Sequence, residues 1–272
     1  RSKVDPCIFY INQPDIQMVM VCHVDDYIIG CSDPKWFPKF LKTFNEHFPM
    51  NLVGEPQQYL GMKIEWDEKN ETVSFSQTKR INEMIDKFKL IDAQKTYLTP
   101  MENKFSATKG DPENLPNVPY RQLLGELYWI SRTCRPDIIT AVNRLSRYQN
   151  CYTNETWKAL KRILLYLKGS DKLKLVYTRK KYNSKNIVGS DMEIYSDSTW
   201  VDDEWDGKST TGMAVIQSGN LISWMCEKQH TQALSSAEAE YMAACNAGQE
   251  TYYFYQLYNE LKMDTEIPYT IF

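Results

Sequence analysis

Two adjacent carboxylates, Asp25 and Asp26, lie within an otherwise apolar stretch of the chain, residues 18–30. Burying two carboxylates among strand-forming residues is costly unless a partner offsets their charge. The usual partner of such a pair is a divalent metal ion, which oxygen ligands hold. A β-hairpin turn that contains both residues is the competing interpretation, and the isolated motif Val-Asp-Asp does not decide between the two.

A second set of carboxylates lies in the last third of the chain. Asp197 is near the end of a predicted strand, and Glu238 and Glu240 are at the start of a long predicted helix. Ser235 and Glu238 have the spacing of a capping box, which gives Glu238 a structural role. Glu240 is roughly 200° further around the helix, so the cap does not explain it. Two-metal phosphoryl transfer needs carboxylates from different elements, which makes Asp197 and Glu240 candidate ligands; two surface acids are the alternative.

The net charge of −3 conceals a strong segregation of charge along the 272 residues. Residues 121–185 hold 15 basic and 4 acidic residues, whereas residues 186–272 hold 3 basic and 14 acidic residues. A compact basic segment in an acidic chain is typical of a polyanion-binding surface. Docking of the basic segment onto the acidic one is the alternative. We favour nucleic acid, because an acidic metal-binding unit beside a basic groove suits phosphate chemistry.

Hydrophobic periodicity and turn residues predict a mixture of strands and helices. The predicted strands lie at 16–30 (two strands and a turn), 59–66, 72–76, 192–198, 210–217, 220–226 and 268–272. The predicted helices lie at 35–48, around 81–88, and at 120–132, 136–149, 154–168 and 236–262. Prolines and a glycine make residues 99–119 a loop. The order after residue 187, three strands, a helix and a strand, is that of the start of a ribonuclease-H-like unit.

The helix predicted at 154–168 carries a basic stripe beside its apolar one. Gly169 is predicted to end this helix in the left-handed conformation. A charged stripe is usually a solvated helix face, but this one lies in the basic segment, so we expect it to contact phosphates. The residues of the stripe are Lys158, Lys161 and Arg162.

Composition excludes several classes of protein. The seven cysteines are scattered without a C-x-x-C pair, which argues against a zinc knuckle and a disulfide framework and indicates an intracellular, reducing setting. No window has the roughly 18 uninterrupted apolar residues of a membrane span. The chain begins with arginine and ends in a strand-like segment, so we expect it to be cut from a longer polypeptide at both ends.

A set of short motifs, in a fixed order, resembles the Pol polyproteins of copia-type LTR retrotransposons over nearly the whole chain. Single motifs are weak signals, but so many in this order are highly specific. They lie at residues 5–8, 24–26, 59–64, 99–101, 120–125, 135–138, 161–169, 208–212, 222–224 and 234–243.

The resemblance implies an α+β fold: a partial reverse transcriptase palm with the start of the thumb at 1–100, a linker and basic helical thumb or connection at 101–185, and an incomplete RNase H-like α/β domain at 186–272. Asp25 and Asp26 would be two of the three metal-binding aspartates of the palm. Asp197 and Glu240 would be the first two RNase H carboxylates, all four holding Mg²⁺.

The same resemblance implies the partners of the parent protein. Gln77 falls where such proteins hold the primer strand, and the basic helices would carry the template–primer duplex. The partners would be an RNA template, a DNA primer, the RNA–DNA hybrid and deoxynucleotides, with no membrane. The parent element would assemble in a cytoplasmic virus-like particle.

Departures from the family pattern leave two other interpretations open. His23 stands where tyrosine usually precedes Val-Asp-Asp, and Gly207 where a basic residue is common. The third palm aspartate is expected upstream of Arg1 and the other RNase H carboxylates beyond Phe272, so we expect no turnover from this chain alone. A non-catalytic nucleic-acid-binding remnant and an inert translated relic are the alternatives.

Overall fold

The computed structural model describes residues 1–103, 105–179, 192–203, 205–263 and 269–272. Within these residues the chain forms three small sheets and six α-helices, so the predicted α+β class is confirmed. The domain division stays a prediction, and its second boundary, at 185, lies outside the described residues. No helix in the described part of the chain is long and apolar enough to cross a membrane.

The first sheet contains the predicted strand–turn–strand unit and one strand more. Its strands, in spatial order, are β1 (Ile8–Gln13), β2 (Ile16–His23) and β3 (Asp26–Cys31). The next element is α1 (Phe37–His47). The helix packs beside this sheet through Phe44, whose ring meets that of Tyr27 edge-on at 6.2 Å. Strand β1 was not predicted; it pairs antiparallel with β2 along its whole length.

The second sheet brings together parts of the chain that are distant in sequence. Its first strands and the following helix are β4 (Gln58–Tyr59), β5 (Met62–Asp67), β6 (Thr72–Ser76) and α2 (Thr78–Lys87). The hairpin and the amphipathic helix were both predicted. The apolar side of α2, Ile81, Met84 and Ile85, is buried as its spacing indicates.

The helical unit supplies the largest core. Its helices are α3 (Tyr120–Thr133), a 3-10 turn at Pro136–Ile138, α4 (Ile139–Ser146) and α5 (Asn154–Gly169). The buried residues of these helices form one hydrophobic cluster with the apolar side of α2. Leu127, Ile130 and Leu164, all in this cluster, have no solvent exposure. A further strand, β7 (Leu175–Thr178), follows α5 and pairs antiparallel with β6, which ties the second sheet to the helical unit. Strand β7 was not predicted.

The prediction for Gly169 is wrong. Gly169 is the last residue of α5 and is not among the residues with positive φ; Ser170 caps the helix instead. An added Cβ at Gly169 would lie 2.8 Å from the Cβ of Thr96, whereas one at Gly125, in α3, would meet nothing within 4 Å. Glycine is therefore present at this end of α5 because the side chain of Thr96 approaches it closely.

We expect Gly169→Ala to lower the free energy of unfolding by about 1–3 kcal/mol, the usual cost of overpacking. The matched change Gly125→Ala is expected to raise it by about 0.5–1 kcal/mol, because alanine is the better helix former and the site has room. Urea unfolding of both variants tests the pair. Stabilisation by both substitutions would show that the segment at Thr96 does not restrict α5.

The third sheet follows the predicted order. Its elements are β8 (Met192–Thr199), β9 (Thr210–Gln217), β10 (Asn220–Lys228), α6 (Ser236–Leu261) and β11 (Thr270–Ile271). The spatial order is β10-β9-β8-β11, with β11 parallel to β8 and the other pairs antiparallel. Ser218 and Gly219 both have positive φ, as a two-residue type I′ hairpin turn requires, so the predicted turn is confirmed.

The long helix α6 lies against one face of the third sheet. Ile194 and Val215 share a cluster with Ala247 of α6, and Ala239 and Ala243 extend the buried stripe of small residues towards the start of the helix. The far end of α6 contacts the segment that precedes the first sheet: Glu260 accepts a hydrogen bond from the backbone N–H of Lys3 at 2.8 Å. Helix α6 thus links the two ends of the chain.

Candidate functional site

The aspartate pair lies at the tip of the first sheet. His23 pairs with Asp26 in the β2–β3 register, so Val24 and Asp25 form the two-residue loop of a hairpin. Both carboxylates are exposed, and within the described part of the chain neither one accepts a hydrogen bond or forms an ion pair. The hairpin interpretation therefore describes the backbone correctly, and the two carboxylates are open to a cation from outside.

Val24 is held in an unfavourable backbone conformation at this tip. Its φ is +58°, in the left-handed region, and its side chain is 84% exposed. Such a φ is an outlier for a β-branched residue, and strain of this kind is common at ligand-binding sites. The strained residue immediately precedes the aspartate pair.

Tyr59, in β4, lies close enough to the aspartate pair to be influenced by its charge. Burial of the Tyr59 phenol raises its pKa, and the negative charge of Asp26 raises it further, followed by that of Cys22. Tyr59 of the second sheet is thus within electrostatic reach of Asp26 in the first sheet. The turn that follows Tyr59 has positive φ at Leu60 and Gly61.

Gln77 is buried rather than presented at a surface. It precedes α2, its side chain is among the buried polar groups with 3% of the residue exposed, and its Oε1 accepts a hydrogen bond from the Thr133 hydroxyl at 2.9 Å. Its Nε2 has no hydrogen-bond partner among the described residues. The predicted contact of Gln77 with a primer stays a prediction.

Asp197 lies in the third sheet and Glu240 in the helix α6 that packs against it. Asp197 is in β8 on the exposed face, opposite Ile194, and its register partner is Gly212. Glu240 lies two helical turns before the buried Ala247, hence within about 20° of its direction around α6. Both side chains are exposed, and neither has an ion-pair partner in the described structure.

The predicted capping box at the start of α6 forms in a modified way. The Ser235 hydroxyl accepts the backbone N–H of Glu238 at 3.1 Å, as predicted. The Glu238 carboxylate accepts the backbone N–H of Leu234 at 2.7 Å rather than that of Ser235. Glu238 therefore has the structural role that the spacing indicates, and Glu240 is left free of it.

The three residues of the basic stripe on α5 have different surroundings. Lys158 is exposed, and the Lys161 ammonium lies 5.6 Å from the centre of the Trp157 ring. Arg162 is committed within the chain: it donates to Glu102 at 2.7 Å and lies over the ring of Tyr97 at 4.2 Å. Lys158 is therefore the member of the stripe most available to a phosphate.

Part of the basic segment docks on the acidic one. Arg144 and Arg147 of the helical unit both pair with Asp202, in the loop between β8 and β9, at 3.2 and 3.0 Å. The neighbouring Asp203 side chain is 2% exposed and accepts a hydrogen bond from Lys228 at 2.7 Å. The docking interpretation of the charge segregation is thus correct for these residues, which the sequence analysis did not single out.

The ionisation of Asp203 depends on this network. Burial opposes the charged form, but the hydrogen bonds from Lys228 and from the backbone N–H of Trp205, with the charges of Lys228 and Arg147, hold its pKa below the ordinary value. The carboxylate is therefore a structural charge. It contrasts with the four candidate ligands, which have no such cation partner in the described structure.

The described residues contain no cluster of three or more His, Cys, Asp or Glu side chains that could hold a metal by itself. The seven cysteines are free thiols. Any cation at Asp25 and Asp26 would therefore complete its coordination with water or with a ligand. Mg²⁺ is usually held in this way, by one or two carboxylates together with waters and substrate phosphates.

Comparison with known proteins identifies the family. No protein-family model matches the chain, and no solved structure matches it significantly. It is 31% identical over 271 residues to the retrovirus-related Pol polyprotein from transposon TNT 1-94 of Nicotiana tabacum, covering 96% of this chain and 20% of that protein. It is 32% identical to the corresponding polyprotein from transposon RE1 of Arabidopsis thaliana, covering 100% of this chain and 18% of that protein.

A shorter relative matches half of the chain. The secreted RxLR effector protein 161 of Plasmopara viticola is 38% identical over 134 residues, which is 49% of this chain and 89% of that protein. The long relatives are retrovirus-related Pol polyproteins. The chain belongs to the copia-type Pol polyproteins along nearly its whole length, and it spans about a fifth of the length of the curated polyproteins it matches.

Proposed function

We propose that the chain is part of the reverse transcriptase and ribonuclease H region of a copia-type polyprotein. Residues 1–100 would form part of the palm and the start of the thumb, 101–185 the linker and the basic thumb or connection, and 186–272 part of the RNase H domain. The whole protein would copy RNA into DNA and degrade the RNA strand of the hybrid.

The observation that carries this proposal is the aspartate pair at the hairpin tip. Asp25 and Asp26 are adjacent, exposed and without a cation partner in the described structure, and the residue before them is strained. Hard carboxylate oxygens that are open to solvent and to phosphates suit Mg²⁺. In phosphoryl transfer such an ion stabilises the charge that develops on the oxygens. The protein's own contribution is to present both carboxylates, exposed, at one hairpin tip.

The third sheet and α6 support the proposed ribonuclease H activity. The strand order, β10-β9-β8-β11 with β11 parallel to β8, and the long helix after three strands are those expected of the first half of an RNase H-like domain. Asp197 comes from the strand at the centre of the described sheet and Glu240 from the first turns of the helix. Two carboxylates on separate elements can hold metal ions against a backbone phosphate.

A non-catalytic role in binding nucleic acid is the second candidate. The exposed Lys158 and the nearby Lys161 favour it. Both lie in the basic segment 121–185, whose 15 basic and 4 acidic residues give it a net charge of +11. Intramolecular contacts of Arg144, Arg147 and Arg162 leave fewer free charges than the sequence count indicates. Both candidates involve an RNA–DNA hybrid, so a binding experiment separates them by its dependence on metal.

We expect the chain to bind an RNA–DNA hybrid with an affinity that falls as salt rises, and to bind it more tightly in Mn²⁺ than in EDTA. Lys158→Gln is expected to reduce the slope of log affinity against log salt by about 1, because one phosphate contact is lost. Lys79→Gln, an exposed lysine outside the basic segment, is the control and is expected to leave the slope unchanged.

Fluorescence anisotropy at constant ionic strength measures both effects. A slope that depends on Lys158, without any effect of Mn²⁺, would favour the non-catalytic role. If the affinity is the same in Mn²⁺ and in EDTA, and Lys158→Gln and Lys79→Gln change the salt slope equally, both candidates are contradicted.

A further inference from the structure

One buried amide connects the start of α6 to the third sheet. Gln229 directly follows β10 and is 7% exposed. Its Nε2 donates to the carbonyl of Ala239 in α6 at 2.9 Å and to the hydroxyl of Thr211 in β9 at 3.1 Å. Its backbone N–H donates to the carbonyl of Ser209 at 2.8 Å. The end of β10, the start of β9 and the start of α6 therefore meet at this one residue.

The two side-chain contacts adjoin the residues that carry the candidate RNase H ligands. Ala239 immediately precedes Glu240 in the helix. Thr211 is the register partner of Ser198, which immediately follows Asp197 in β8. Gln229 thus forms a hydrogen bond with Ala239, the neighbour of Glu240. It forms another with Thr211, which pairs across the strands with Ser198, the neighbour of Asp197.

We propose that Gln229 is a positioning residue that fixes the start of α6, and with it Glu240, relative to the third sheet, whose strand β8 carries Asp197. The inference rests on the proposed function, in which these two carboxylates hold a divalent cation. Metal sites are sensitive to groups beyond their ligands, because the ligands must be held at fixed separations. Strand β8 is held by its sheet, and the two side-chain hydrogen bonds of Gln229 tie the first turns of α6 to β9.

Packing alone does not account for a glutamine at this position. The Oε1 atom of Gln229 is buried and has no hydrogen-bond partner in the described structure, as is also true of the Ser198 hydroxyl. Leaving a buried acceptor unsatisfied is unfavourable, and an apolar side chain would avoid this cost. The feature that glutamine contributes is its pair of donors, both of which are used.

The chain offers a matched control at the other end of the same interface. Gln217, at the end of β9, is also buried, and its Oε1 accepts a hydrogen bond from the hydroxyl of Tyr258 in the last turns of α6. Gln217 and Gln229 therefore both join the third sheet to α6. Only Gln229 lies at the end of the helix that carries Glu240.

The test is Mn²⁺ binding, measured by electron paramagnetic resonance on the full chain. Asp25→Asn and Asp26→Asn are present in every sample, so that the first pair of carboxylates does not contribute. In this background we expect Gln229→Met to weaken Mn²⁺ binding by about 10-fold or more, the usual range for loss of a group that orients a ligand. Gln217→Met is expected to change it less than about twofold, although it removes a similar buried hydrogen bond.

Thermal unfolding of each variant checks that it folds. If Gln229→Met does not fold, Thr211→Val replaces it: this change keeps the volume and removes one of the two acceptors, and we expect several-fold weaker Mn²⁺ binding. Equal affinities for the Gln229 variant, the Gln217 variant and the background, with binding still lost in Asp197→Asn and Glu240→Gln, would overturn the inference alone. If neither Asp197→Asn nor Glu240→Gln changes the Mn²⁺ affinity, the proposed metal site is overturned, and the inference with it.

Discussion

Replacing Arg147 by methionine is expected to lower the free energy of unfolding by about 3–5 kcal/mol, the usual cost of removing one partner from a buried ion pair. The Arg147 side chain is 8% exposed and lies 3.0 Å from Asp202. It also donates to the Thr210 hydroxyl at 2.6 Å, so it joins α4 to the start of β9. Methionine fills similar space but leaves the poorly solvated Asp202 charge with Arg144 as its remaining cation partner among the described residues.

Arg132→Met is the control for this prediction. Arg132 also joins the helical unit to the third sheet, but its ion pair with Glu227 is 3.6 Å long and both side chains are more than a third exposed. Exposed ion pairs contribute about 0–1 kcal/mol, so we expect a loss no larger than that. Urea unfolding measures both variants.

A second substitution separates the charge effect from packing. Adding Asp202→Asn to Arg147→Met removes a carboxylate that has lost its main partner, so part of the lost stability is expected to return. If Arg147→Met costs no more than Arg132→Met, the docking of the two units does not depend on this network.

Asp25→Asn is expected to lower primer extension by about a hundredfold or more, in a polypeptide that contains this chain and copies RNA. A metal ion contributes several kcal/mol to stabilising the charge of the transition state. Loss of about 3 kcal/mol of that stabilisation corresponds to about a hundredfold in rate. Glu240→Gln is expected to reduce cleavage of the RNA strand to a similar extent, because Glu240 belongs to the other proposed site.

The reciprocal effects provide the sharpest test of the proposal. Each substitution is expected to leave the other activity within about twofold, because distant sites act nearly independently. Asp15→Asn is the control for both activities, since Asp15 is an exposed aspartate in the β1–β2 turn, at the opposite end of the same sheet. If Asp25→Asn affects primer extension no more than Asp15→Asn does, the hairpin tip is not the polymerase site.

Several elements were predictable because their signals are local. The hairpin at Ser218-Gly219 needs only two residues that accept positive φ, and α2 needs only an apolar side of helical spacing. The cap of α6 by Ser235 depends on residues within one turn. These patterns act over a few residues, so the sequence by itself determined these elements and their order along the chain.

Features that depend on distant partners were missed or wrong. Strand β7 is short and is stabilised by pairing with β6, which precedes it by a whole helical unit. Gly169 was predicted to cap a helix, but the reason for glycine there is the approach of Thr96. No pattern within α5 contains that information.

The candidate sites divide in the same way. The residue types and spacing of Asp25, Asp26, Asp197 and Glu240 were visible in the sequence, since carboxylates among strand and helix signals need a chemical reason to be there. The tertiary structure decided that these four are exposed without cation partners in the described structure, whereas Asp202 and Asp203 are neutralised by arginine and lysine. Charge alone does not distinguish these groups, because the strength of an ion pair depends on which charges the fold brings together and how far it removes them from water.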